Sequence, residues 1–173
     1  ILLSLREKLL KQEIVFTLTA GVRNDVYIFF HEMIKRLGLE VCLNRNLHII
    51  FEMHKEDYFT SFNQALLTAD VLWTKPSELV FYSALGLPIF IAPPIGAQER
   101  FNKTWLKTIG AGIKQPDERY THEWLTDWVE SGWLAKAAMS GYLDGRQFGV
   151  RNIEDVVFYG VKQPELDDNL MEF

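Results

Sequence analysis

Short apolar runs alternate along this chain with longer segments whose apolar residues recur every three or four positions. The short runs are rich in β-branched and aromatic residues, which is typical of buried strands. This pattern predicts strands at Glu13–Gly21, Leu47–His54, Asp70–Lys75, Leu87–Pro94 and Ala111–Gln115. The intervening segments have helical spacing and predict helices at Val26–Gly38, Glu56–Ala69, Ser77–Gly86, Ala97–Gly110 and His122–Leu143, the last with a break near Gly132.

Details of the helical segments predict which side chains face the core. Asn24 or Asp25 is expected to cap the first long helix. Three sets share a spacing that predicts one buried face each: Leu2, Leu5, Leu9 and Leu10; Phe59, Phe62, Leu66 and Leu67; and Trp124, Trp128 and Trp133.

Strands that alternate with helices over this length predict an α/β fold. We expect a Rossmann-like parallel sheet with helices on both faces. The predicted organisation is an amphipathic helix at residues 1–12, a Rossmann-like domain at 13–159 and a polar tail at 160–173.

Composition narrows the classes of function. The chain has 173 residues, a formal charge of −5 and a pI of about 5.4, which argues against a general nucleic-acid binder. No apolar stretch reaches the roughly 18 residues of a spanning helix, so we expect no transmembrane segment. The single cysteine, Cys42, lies in an apolar run and is predicted to be buried and inert. A reducing compartment fits this cysteine content, and we expect a cytoplasmic protein.

Parallel α/β sheets bind ligands beyond the carboxyl ends of their strands, where the strand order reverses. Three loops are predicted at that edge, at Thr19–Asp25, Thr74–Glu78 and Ala92–Glu99. The second loop allows two interpretations. Its lysine, serine and following helix start suit a phosphate, or the serine only caps the helix while the charges are solvated.

The third loop has the same ambiguity. Gly96 would let a ligand approach the backbone, and Gln98 and Glu99 offer hydrogen-bonding groups suited to sugar hydroxyls. Alternatively, both are ordinary first-turn residues. The four histidines, His31, His48, His54 and His122, are not paired at metal-ligand spacing, and no serine has a recognisable triad context, so no metal site and no catalytic residue are predicted.

Residues 69–112 resemble the carboxy-terminal half of GT-B glycosyltransferases of the MurG and monogalactosyldiacylglycerol synthase type. The matching motifs occur in the family's order: Ala69-Asp70, Gly86-Leu87-Pro88, Gln98-Glu99, Asn102 and Gly110-Ala111-Gly112. The resemblance extends more weakly back to Glu13 and on to Gln115.

The resemblance implies a domain that binds a nucleotide-sugar donor, usually a uridine nucleotide, and transfers the sugar without a required metal or other cofactor. It also implies a separate amino-terminal domain and leaves room for peripheral membrane contact. Carried over by position, Gly21 would lie near the diphosphate, Ser77 would face a phosphate, and Gln98 and Glu99 would face the sugar. The predicted nucleotide-sugar-binding residues are Gly21, Lys75, Ser77, Glu78, Gly96, Gln98, Glu99 and Asn102.

The chain also departs from the family. Phe81 stands where the family has a ribose-binding glutamate, and the turn before that helix is about two residues shorter and lacks the usual glycines. Two alternatives therefore stay open. One is a non-catalytic GT-B-like ligand-binding or interaction module with an eroded donor site. The other is a different α/β sugar-nucleotide enzyme, such as a 2-epimerase.

Overall fold

The computed structural model describes residues 1–75, 79–145 and 148–160. Within it the chain divides into two compact units. The first comprises residues 1–69 and 116–130, and the second comprises residues 70–115 with those from 131 onward. A helix was predicted at Ser77–Gly86, and the structure has one at Leu79–Ala84. The predicted first residues, Ser77 and Glu78, lie outside the described residues.

The first unit contains a two-stranded parallel sheet and four helices within the described residues. Its elements are α1 (Arg6–Leu10), β1 (Phe16–Gly21), α2 (Asn24–Arg36), β2 (Leu47–Phe51), α3 (Lys55–Leu66) and α6 (Thr121–Glu130). Short 3₁₀ turns at Glu40–Cys42 and Glu118–Tyr120 precede β2 and α6.

The second unit contains a three-stranded parallel sheet in the order β3-β4-β5. Its elements in the described residues are β3 (Leu72–Thr74), α4 (Leu79–Ala84), β4 (Ile89–Ile91), α5 (Ala97–Thr108), β5 (Gly112–Lys114), α7 (Trp133–Asp144) and α8 (Gly149–Tyr159). The predicted short fifth strand and the helix break at Gly132 are confirmed.

The prediction of an α/β fold with parallel strands is confirmed, since both sheets are parallel and are flanked by helices. Within each described sheet the strands follow the order of the chain, so neither sheet by itself contains a reversal of strand order.

The core of the first unit forms where α1 packs beside β1 and β2. Leu2, Leu5 and Leu9 are buried as predicted, and they join Ile34 and Leu47 in one apolar cluster. Leu10 was predicted on the same face, but it is exposed, because one residue beyond Leu9 turns the side chain about 100° around the helix axis. Cys42 is buried in this cluster, as predicted.

The core of the second unit forms between β4, α5 and the segment before β5. Ile89, Ile91, Leu106 and Ala111 are fully buried there. All three residues of β4 are buried, as expected for the central strand of a parallel sheet with covered faces. A β-carbon on Gly112 would lie 3.1 Å from the Ile91 side chain, so this position has little room for any other residue.

Some helix details differ from the predictions. In α3, Phe59 and Leu67 are exposed, and no residue of the helix is fully buried, because a two-stranded sheet offers little surface to cover. The N-cap of α2 is Arg23 rather than Asn24 or Asp25. The carboxylate of Asp25 pairs instead with the Arg23 guanidinium.

The aromatic and C-terminal helices add two further findings. Trp124 and Trp128 are half-buried, and their ring centroids lie 4.7 Å apart in the first unit, whereas Trp133 belongs to the second. Helix α8 was not predicted separately. Its apolar residues Val150, Ile153 and Val157 are exposed.

Candidate functional site

The strands of the second unit end side by side, at the edge where its ligand loops were predicted. Thr74 is aligned with Ile91, and Ile91 with Lys114. Just past the strand ends, the Ala92 N–H donates to the Thr74 carbonyl oxygen at 2.9 Å, and the Gln115 N–H donates to the Ile91 carbonyl oxygen at 3.0 Å. The loops that follow β3 and β4 therefore start next to each other.

A side-chain pair ties the two outer strands of this edge together. The indole Nε1–H of Trp73 in β3 donates to Oε1 of Gln115, just after β5, at 2.8 Å. The same indole meets the Phe90 ring edge-on, with centroids 5.6 Å apart. A buried or half-buried indole N–H needs such a partner, so this bond fixes the spacing of the edge.

Gly96 is the N-cap of α5 and has no close neighbour. Its backbone is extended, with φ −111° and ψ 171°, a conformation open to any residue. A β-carbon built on Gly96 would meet no heavy atom within 4 Å. Neither backbone strain nor packing requires glycine here.

Glu99 is engaged at the start of its own helix. One carboxylate oxygen, Oε2, accepts a hydrogen bond from the Ile95 N–H at 2.6 Å. In a capping box the glutamate three residues after the N-cap accepts from the N-cap N–H, whereas here the donor is the residue before the N-cap. This bond agrees with the interpretation of Glu99 as an ordinary first-turn residue of its helix. It occupies one of the two carboxylate oxygens.

The other predicted residues of the second unit differ in exposure. Lys75 and Gln98 are exposed, while Asn102 is half-buried. Phe81 of α4 is 64% exposed. An apolar ring presented to solvent at this position offers no hydrogen bond to a ribose.

Gly21 belongs to the first unit and is described there on its own. It ends β1 with φ +64°, in the left-handed region that glycine adopts without strain. Its carbonyl oxygen accepts from the Glu52 N–H at 3.0 Å, and the register of the two strands shifts between Thr19 and Gly21. A β-carbon here would meet nothing within 4 Å.

The structure also brings together a serine and a histidine that no sequence pattern pairs. Ser4 Oγ lies 2.9 Å from His122 Nδ1, and it accepts a hydrogen bond from the His122 backbone N–H at 3.0 Å. The two residues are 118 positions apart, and no motif flanks either of them. Only a contact between the N-terminal segment and α6 creates this pair.

Two carboxylates of the first unit have shifted pKa values. Hydrogen bonds from the Arg119 side chain and from its backbone N–H lower the pKa of Asp117 to about 2. The Arg23 guanidinium likewise lowers the pKa of Asp25. Both pairs lie at the surface and fix local turns.

The described residues contain no group of three or more histidine, cysteine, aspartate or glutamate side chains arranged to hold a metal ion. None of the helices described has the length and apolar character needed to cross a membrane. Comparison with known proteins returned no matching family model, curated protein or solved structure. The function must therefore be argued from the residues themselves.

Proposed function

We propose that this chain is the donor-binding domain of a GT-B-like glycosyltransferase, which transfers a sugar from a nucleotide-sugar to an acceptor. One observation carries the proposal. The motifs that resemble this family, in residues 69–112, run through a parallel sheet whose loops after β3 and β4 begin side by side. Ligands of parallel α/β sheets bind at this edge.

The chemistry of the edge is compatible with an anionic sugar donor. The first turn of α5 has backbone N–H groups without helical partners and carries the positive end of the helix dipole. In the proposal, these groups and the exposed Lys75 lie near the diphosphate, and the exposed amide of Gln98 reaches sugar hydroxyls.

Transfer itself needs more than these residues supply. The bond between the anomeric carbon and the diphosphate oxygen breaks, and the acceptor oxygen bonds to that carbon while a base removes its proton. The nucleoside diphosphate leaves. The resemblance assigns most of the acceptor site to a separate amino-terminal domain, so we assign no base to this chain.

A second candidate function is a GT-B-like ligand-binding or interaction module that has lost catalysis. Two observations favour it. Phe81 presents an exposed ring where the family has its ribose-binding glutamate, and one oxygen of Glu99 is already bonded to the Ile95 N–H. Both features weaken donor recognition without disturbing the fold.

Titration with UDP, GDP and UDP-glucose, followed by thermal unfolding, separates the two candidates. A donor-binding domain is stabilised by about 2.7 kcal/mol when the ligand reaches ~100 times its dissociation constant. Gln98→Ala is expected to weaken the binding of UDP-glucose more than that of UDP, since the Gln98 amide would contact the sugar. Gln64→Ala, an exposed glutamine of α3, is the matched control and should leave binding unchanged. Unfolding curves that are identical with and without all three ligands would favour the interaction module.

A further inference from the structure

A cleft of about 610 Å³ lies in the first unit, between the N-terminal segment and the start of α6. Its lining includes Ser4, Lys11, Arg119 and His122. Apolar surface comes from Ile1 and Leu3, and the lining also includes glutamates. The mixture of both charges with apolar surface suits a small, weakly charged organic ligand better than a highly charged one.

The Ser4–His122 pair faces this cleft with the geometry of a nucleophile and its base. The 2.9 Å separation of Ser4 Oγ and His122 Nδ1 is an ordinary hydrogen-bond distance. Oγ accepts from the His122 backbone N–H, and its own hydrogen remains available to donate to Nδ1. In the tautomer that makes His122 a base, Nδ1 accepts from the serine and Nε2 carries the ring hydrogen.

A carboxylate stands on the other side of the imidazole. Glu123 Oε1 lies 3.6 Å from His122 Nε2, which is longer than a good hydrogen bond. Serine, histidine and carboxylate thus follow one another in the order of a hydrolase triad, here with Nδ1 rather than Nε2 toward the serine.

We propose that Ser4 is a nucleophile, activated by His122, that accepts acyl groups from small carboxylic esters. In the first step Oγ bonds to the acyl carbon, its proton passes to Nδ1, and the ester alcohol leaves with that proton. In the second step water attacks the acyl-serine and His122 returns a proton to Oγ. Ser4 and His122 would be catalytic residues, and Glu123 a positioning residue. This activity is independent of nucleotide-sugar binding.

The hydrogen bond that Ser4 accepts from the His122 N–H also caps the first turn of α6, which is a structural role. A test must therefore distinguish a reactive serine from a capping one. A cap explains the bond to the backbone N–H, but it predicts no chemical reactivity and no dependence on the imidazole.

The test is covalent labelling of the full chain with a fluorophosphonate, followed by intact-mass measurement and peptide mapping. We expect a single adduct on Ser4 that is lost in urea and in Ser4→Ala. His122→Gln should slow labelling about 100-fold, the lower range for loss of a general base. Glu123→Gln should slow it several-fold and leave the fold unchanged. The rates at which these variants hydrolyse p-nitrophenyl acetate should decrease in the same order as their labelling rates.

The matched control is Ser61→Ala. Ser61 Oγ donates to Glu52 Oε1 at 2.7 Å in the same unit, so it is also a hydrogen-bonded serine but has no histidine partner. The Ser61→Ala variant should be labelled by the fluorophosphonate at the same rate as the parent chain. Absence of an adduct at Ser4 in the folded chain overturns the proposal, as does an undiminished rate in a folded His122→Gln variant. If Ser4→Ala does not fold, mapping of the adduct in the parent chain decides.

Discussion

A β-carbon on Gly141 of α7 would lie 2.5 Å from the carbonyl oxygen of Ser83 in α4. Real β-carbons essentially never approach another atom so closely, so the two helices are packed backbone to backbone at this point. Ala137 and Gly145, one helical turn away on either side, keep the same face of α7 narrow. The second unit thus depends on small residues along one line of α7.

Gly141→Ala should therefore destabilise the protein, although alanine is the better helix former. The helix preference contributes about 1 kcal/mol in favour of alanine. Forcing a methyl group against a fixed backbone carbonyl typically costs about 1–3 kcal/mol. We expect a lower denaturation midpoint in urea, equivalent to a net loss of up to about 2 kcal/mol.

Gly149→Ala is the control for this substitution. Gly149 is the first residue of α8, and a β-carbon there would meet no heavy atom within 4 Å. The stability of the Gly149→Ala variant should be equal to or slightly above that of the parent chain. A Gly141→Ala variant that is as stable as Gly149→Ala would mean that α7 can move away from α4 at no cost.

The order of helices and strands up to α7 could be predicted from the sequence because local signals mark their ends. Gly86, Gly110 and Gly132 each adopt a positive φ, between +74° and +81°, and each follows the end of a helix. Glycine after a helical pattern indicates this conformation. Contacts between distant segments leave no such local signal. The fit of Gly141 against Ser83 and the meeting of Ser4 with His122 could not be predicted for that reason.

Asn46 holds the beginning of the chain to the first sheet. Its buried Nδ2 donates to the Leu9 carbonyl oxygen at 2.8 Å and to the Ile14 carbonyl oxygen at 3.0 Å. Asn46→Ala would remove both donors, although the Leu9 carbonyl keeps its bond from the Gln12 N–H at 3.0 Å. We expect a loss of about 1–3 kcal/mol in the free energy of unfolding, from the two lost bonds.

Chemical denaturation measures this loss, with Asn63→Ala as the control. Asn63 is an exposed residue of α3, and its replacement should change stability by less than about 0.5 kcal/mol. Equal midpoints for the two variants would show that Asn46 does not anchor the segment.

The candidate donor site shows where sequence reasoning reaches its limit. The positions of Gly96, Gln98 and Glu99 at the start of a helix could be predicted from the pattern of the chain. The use of the Glu99 carboxylate could not, because both a sugar hydroxyl and a backbone N–H are good partners for it. The path of the loop determines which partner the carboxylate takes, and here it brings the Ile95 N–H within 2.6 Å of Glu99 Oε2.

Two substitutions of Glu99 test this assignment. Glu99→Gln keeps an acceptor oxygen that can bond to the Ile95 N–H, whereas Glu99→Ala removes it. We expect the alanine variant to lose about 1 kcal/mol, as is typical for a lost helix-start bond, and the glutamine variant to lose less than half of that. Urea denaturation gives both values. Equal stability of all three proteins would show that this bond does not hold the loop.

Asp117 should make stability depend on pH below pH 4. Hydrogen bonds from Arg119 lower its pKa in the folded protein to about 2, from an ordinary value of 3.8. For a lowered pKa, the stabilisation is complete above the unfolded value and disappears as the pH falls through the folded one. Asp117→Asn keeps an oxygen for the Arg119 N–H, which donates at 3.0 Å, but removes the charge.

The difference in melting temperature between the parent chain and Asp117→Asn should therefore be constant from about pH 7 to about pH 5. It should then shrink toward zero as the pH approaches about 2. Because the pair is exposed, salt should also reduce the difference at neutral pH. Asp127→Asn on α6 serves as the control, because Asp127 is also an exposed acid of this unit. A difference that grows on acidification would contradict the assignment, since it would mean that the carboxylate is held in its protonated form.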